Sequence, residues 1–157
     1  MAASIQLANL DARLAFLALQ YHLARPGSEL DPETKQPLAH GLAEVATALE
    51  PQLEQAVATL ELSAYQRGRL ASALAGSVNE LKSLSLMGGG RTTVPAFHRA
   101  LTQLFPEARD DADEAVQLAA HMVDLRRRLD RMAPESEPQP APRDERRTWW
   151  QFWRRAG

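Results

Sequence analysis

The sequence predicts an all-α protein: a helical bundle of four long helices and one short helix, followed by a Pro-rich linker and a short amphipathic C-terminal segment. Apolar residues recur at three- and four-residue steps along most of the chain, the spacing of one helical face. β-Branched residues are sparse and no period-two alternation is sustained. Glycine and proline clusters separate the periodic stretches. On these signs the bundle spans residues 1–132, a flexible linker 133–145 and an aromatic, arginine-rich tail 146–157.

The first helix is carried by Leu7, Leu10, Leu14, Leu17, Tyr21 and Ala24, with Phe16, Leu19 and Leu23 adding apolar surface beyond that stripe. A helix this apolar belongs in the centre of a bundle or at a self-association interface, so a homodimer through it is compatible with the pattern. Arg25-Pro26-Gly27 stops it, and a turn-rich loop follows. The second helical pattern runs Leu38, Leu42, Val45, Leu49, Leu53, Ala56, Leu60. Pro51 should kink or break it near Glu50, because proline removes an amide donor and crowds the preceding turn. The third helix carries Leu70, Leu74, Ser77, Val78, Leu81 and Leu84, with Ser63 as its candidate cap and Gly88-Gly89-Gly90 at its end.

A short helix follows, capped by Thr93, with Pro95 in its first turn and Val94, Phe97, Leu101 and Leu104 on one face. The last long helix bears Ala115, Leu118, Met122, Leu125, Leu129 and Met132. Asp110, Asp111, Asp113 and Glu114 lie at its start and Arg126, Arg127, Arg128 and Arg131 at its end, the signs that the helix dipole favours. Pro134, Pro138, Pro140 and Pro142 then mark a polar spacer that cannot bury a core.

All three tryptophans, Trp149, Trp150 and Trp153, stand in the final segment with Phe152. At about 100° per residue the four rings share one sector of a helical wheel. Gln151, Arg147, Arg154 and Arg155 lie opposite, while Arg146 falls under the aromatic sector, from which its long stem would carry the charge outward. Tryptophan suits the headgroup region of a bilayer and arginine pairs with phosphate. Arg146, Arg147, Trp149, Trp150, Phe152, Trp153, Arg154 and Arg155 are therefore the expected binding residues, and the expected partner is an anionic membrane surface. The same composition also suits a peptide docking in a groove of a protein partner, as in an adaptor or accessory subunit. Two further readings fold the tail back near the Pro51 kink or stack nucleic-acid bases on its rings.

Residues 143–157 hold five arginines against Asp144 and Glu145, a net +3, which leaves −5 for the rest of a chain whose total is −2. An acidic body argues against a general nucleic-acid-binding domain. The absence of cysteine excludes disulfides, thiolate metal sites and cysteine nucleophiles. The N-terminus lacks a basic n-region and no uninterrupted apolar run reaches spanning length. The expectation is thus a cytoplasmic protein, peripheral on the inner face of the membrane where the tail attaches. Near-exclusive use of arginine over lysine, with abundant alanine and leucine, fits a GC-rich bacterial genome.

No catalytic, metal-binding or cofactor constellation is expected. His22, His40, His98 and His121 read as lying on different helices, outside H-E-x-x-H or Glu-x-x-His spacing. His40 and Glu44 are one turn apart and read as a surface pair. The GGGRTTVP stretch lacks the P-loop pattern, and the DDADE run lacks calcium-loop spacing. A non-enzymatic interaction protein follows. A small-molecule-binding or catalytic bundle, involving His22 or His121 in an enclosed polar pocket, is the third reading.

Overall fold

The computed structural model describes residues 2–86 and 94–132. Among the described residues the chain is mostly helical, with five α-helices and a small antiparallel ribbon. In chain order these are β1 (Ala2–Ala8), α1 (Asn9–Leu23), α2 (Leu42–Leu49), β2 (Val57–Ser63), α3 (Ala64–Leu86), α4 (Pro95–Leu104) and α5 (Ala112–Arg131). Three helices are long and two are short. α2 breaks at Glu50–Gln52 into a 3-10 turn at Pro51, as the missing amide requires.

The ribbon corrects the expectation that strands are absent. β1 pairs with β2 in the register Ala3↔Leu62, Ile5↔Leu60 and Leu7↔Ala58. Ile5, Leu7, Ala58, Leu60 and Leu62 are all buried while their neighbours in sequence face outward. Leu7 therefore belongs to β1, not to the first helix, and Ala56 and Leu60 do not continue the second. The period-two signal is only two or three residues long in each strand and, apart from Ile5, is carried by alanine and leucine, which favour helices. Pairing across the core overrides that local preference. Asn9 at the start of α1 holds the approach to β2, donating from Nδ2 to the carbonyls of Leu53 and Gln55, both at 2.8 Å.

α1 occupies the centre, the first of the two positions its apolar surface allowed. Leu14, Leu17 and Leu19 are wholly buried, and α2, α3, α4, α5 and both strands contact it. α3 and α5 form the most extensive helix pair, closing over Leu74, Leu81, Met122, Leu125 and Leu129. α4 brings Phe97, whose ring meets Tyr21 of α1 edge-on at 6.1 Å. Met132, expected in the α5 stripe, is exposed because the helix ends at Arg131.

Ser63 caps α3 as expected, and the motif is reciprocal. The Gln66 amide N–H donates to Ser63 Oγ at 3.1 Å, and Ser63 N–H donates to Gln66 Oε1 at 2.9 Å. This is a capping box with glutamine at its third helical position. Gln66 also reaches across to the Gly41 carbonyl at 3.3 Å, tying the starts of α2 and α3 together. Ser63→Ala is expected to cost about 1 kcal/mol in urea denaturation. Gln66→Ala should cost more, because it also removes the Gly41 bond. Two single substitutions that each leave stability unchanged would show that the box does not form.

Candidate functional site

The expected binding residues Arg146, Arg147, Trp149, Trp150, Phe152, Trp153, Arg154 and Arg155 lie outside the described residues. So do the linker and Gly88-Gly89-Gly90, Arg91 and Thr93. The described part of α4 begins with Pro95 in its first turn and Val94 before it. What the structure shows is the body, and three places on it where chemistry gathers.

The first is the basic end of α5. The Arg128 guanidinium lies 2.6 Å from Asp11 Oδ1, a carboxylate only 12% exposed in the first turn of α1. Arg126 pairs with Asp130 at 3.7 Å and Arg127 with Asp124 at 3.6 Å, both on the helix surface. These arginines thus have carboxylates of their own, and Arg131 alone in this group has no ion pair among the described residues. The α5 terminus is held by Asp11 of α1 and by two carboxylates of its own helix. Arg128→Ala, stranding a partly buried carboxylate, is expected to cost about 2 kcal/mol in chemical denaturation. Arg126→Ala and Arg127→Ala should each stay within about 0.5 kcal/mol. Equal losses at all three positions would contradict this division.

The second is a polar junction that sequence reasoning missed. His22, near the end of α1, is buried, and its Nε2 lies 2.7 Å from Glu29 Oε1. The other carboxylate oxygen of Glu29 accepts the Ala43 amide N–H at 3.1 Å, in the first turn of α2. Gly41, just before, leaves room for this; a Cβ there would collide with the carboxylate. Glu29 thereby caps a helix that has no side-chain cap of its own. Arg69 of α3 donates to the Ser28 carbonyl and, at 2.9 Å, to the Tyr65 hydroxyl. Its guanidinium also lies 3.3 Å from His22 Nε2. A carboxylate only accepts, so the short contact with Glu29 places a proton on Nε2; that nitrogen then has no lone pair for Arg69, and their 3.3 Å approach is a contact between two donors, not a hydrogen bond. The only signals in sequence were a histidine and a glutamate seven residues apart across a loop, too weak to single out.

Burial is the main cause that lowers the His22 pKa from its ordinary value near 6.5; Arg69 and Arg25 add to it, and Glu29 opposes it by hydrogen bond and charge. A histidine with a lowered folded-state pKa binds fewer protons than in the unfolded chain. Its contribution to stability is complete above pH 6.5 and declines as pH falls below that value. In melting curves between pH 8 and 5, His22→Gln is expected to remove part of the acid-side loss of stability. An unchanged slope would mean that His22 does not carry it.

An open cleft of about 400 Å³ adjoins this junction, lined by His22, Arg25, Ser28, Arg69 and Ser72 among others. Its polar groups are largely engaged: Ser72 donates to the Gly68 carbonyl at 3.1 Å, and Arg25 sits over the Tyr21 ring at 5.8 Å. No nucleophile is paired with a base there.

The third place is near Pro51. A cleft of about 500 Å³ between α1, α2 and α4 presents Phe16 and Leu23 with Glu50 and Arg99. A separate apolar groove of about 230 Å³ runs between α3 and α5, with Val78, Val116 and Val123 along it.

The remaining motifs resolve locally. His40 lies in the loop before α2, not on a helix, and is 3.6 Å from Glu44 on the surface. His121 is exposed on α5. In the acidic run Asp111 caps α5 through Asp113 N–H at 2.9 Å and Glu114 N–H at 3.4 Å. Asp31 caps a turn in the same way, and those backbone bonds lower its pKa. No group of three metal-binding side chains occurs among the described residues. No protein-family model, curated protein or solved structure matches the chain.

Proposed function

We propose that this chain is a non-enzymatic helical interaction protein whose C-terminal aromatic–arginine segment attaches reversibly to an anionic membrane surface. One observation carries the reading: every tryptophan stands in residues 149–153, flanked by arginines, while the core of the described body is mainly aliphatic, with Phe97 its one fully buried aromatic ring among the described residues. A cluster of such rings among arginines suits an interfacial use, with the aromatic sector at the acyl boundary and the guanidinium groups on lipid phosphates. No helix among the described residues is long and apolar enough to cross a membrane, so attachment would rest on this segment.

The magnitudes favour reversible binding. Each arginine near an anionic surface contributes about 1 kcal/mol. A segment of about ten residues is only marginally helical in water, so ordering on the membrane offsets part of the gain. The body supplies specificity for a protein partner, and the tail raises its concentration at the surface.

Tryptophan emission reports on the tail alone. Titration with anionic vesicles should shift it to the blue and bring the protein into the vesicle pellet, an effect weakened by salt and absent with neutral vesicles. A chain ending at Glu145 should stay in the supernatant. Emission unmoved by anionic vesicles would overturn the membrane reading and favour a groove on a protein partner.

A further inference from the structure

The ribbon has two outer edges, and they are not alike. On β2, the Gln52 side chain lies against Thr59: Gln52 Oε1 accepts the Thr59 N–H at 2.9 Å and Gln52 Nε2 donates to the Thr59 carbonyl at 3.1 Å. One glutamine amide thus copies the hydrogen bonds of a further strand and closes that edge. Glu61 adds an exposed charge beside it, and α2 packs against the strand.

These bonds also fix the direction of the backbone groups in β1. Both Thr59 groups point away from β1, so Thr59 and its partner Gln6 form a non-hydrogen-bonded pair. Ser63, opposite Ala2, agrees, since its N–H goes to Gln66. The pattern alternates, so Ala2, Ser4 and Gln6 direct their N–H and C=O groups toward the outer edge of β1. No backbone or side-chain hydrogen bond reaches the outward groups of Ser4 or Gln6 from any described residue. Unlike β2, β1 has neither charge nor proline, the usual means of blocking an edge.

We propose that the β1 edge is a self-association surface, on which a second copy of this chain adds its own β1 antiparallel to make a four-stranded sheet. The strand complements itself. With a two-fold axis at Ile5, Ser4 of each copy faces Gln6 of the other. Outward groups therefore meet outward groups, and each pair exchanges both bonds. Ile5 lies beside Ile5 of the second copy on the face that each body already covers. No charge on β1 opposes the approach, and the chain carries only −2 overall. The dimer moves self-association away from α1, most of whose apolar surface is covered within the chain. Two tails per particle would then strengthen the surface attachment proposed above, although the sheet itself does not depend on that attachment.

Sedimentation velocity on the full chain, without lipid, tests this from about 1 to about 200 μM, a range that brackets micromolar association. The expected result is a species of twice 17.4 kDa that persists in the chain ending at Glu145. Ser4→Pro removes an outward N–H that takes no part in the β1–β2 pairing, and proline is tolerated on an edge. It should leave the far-ultraviolet dichroism unchanged and raise the dimer dissociation constant at least tenfold. Gln6→Lys places a charge at the same edge and should act likewise, so it decides the matter if the proline variant misfolds. A wild-type chain that stays monomeric throughout, or a dimer unaffected by a folded edge variant, overturns the proposal. So does a dimer lost on removing the tail. Vesicle binding by a strictly monomeric chain would overturn the dimer while leaving the membrane reading intact.

Discussion

Leu14, Leu17 and Leu19 are fully buried on α1, a helix of fifteen residues, and such a helix persists in water only when other elements cover it on several sides. That requirement organises the molecule. The ribbon lies along the start of α1, α3 and α4 pack on its flanks, α2 covers another face, and α5 closes over α3. The main contribution is apolar burial, at roughly 25 cal/mol per Å² removed from water. The polar groups that accompany α1 inward each need a partner, because an unpaired buried group is costly. Asp11 finds Arg128, His22 finds Glu29, and Asn9 finds the carbonyls before β2. These contacts bind α1 to α5, to the connecting loop and to the ribbon. Directional bonds thereby fix the arrangement of elements that non-directional burial gathers.

Much of this was legible in the residues. Helical spacing located α1, α3, α4 and α5, Pro51 marked the break after α2, and Ser63 and the acidic run marked two helix starts. The ribbon was not legible. Leu60 fits a three- and four-residue series from Leu53 through Ala56 as well as it fits alternation with Ala58 and Leu62, and only pairing with Ile5 decides between them. The His22–Glu29–Arg69 junction was hidden for a related reason. Its members come from α1, a loop and α3, and no spacing rule links residues that only tertiary folding brings together. The tail was conspicuous in sequence because aromatic rings and arginines crowd into so short a stretch, and its residues lie outside those the structure describes.

The body and the tail therefore rest on different physics. Several of the body's charged groups are engaged with one another: three of the four arginines near the end of α5 have carboxylate partners, and Glu29 is divided between a histidine and a helix start. Such charges stabilise the fold and are poorly placed to attract a distant anionic partner. The tail has the opposite composition, with net positive charge and large rings next to a proline-rich spacer.

The central claim is that the body is complete without the tail. It is tested most directly by unfolding the full chain in urea while recording helical dichroism and tryptophan emission on the same sample. Dichroism follows the body; emission follows only the tail, where all three tryptophans lie. The account expects one cooperative loss of helix, with no step in emission at that midpoint. A shift in emission that coincides with the loss of helix would mean that the rings are packed against the body, and would contradict it.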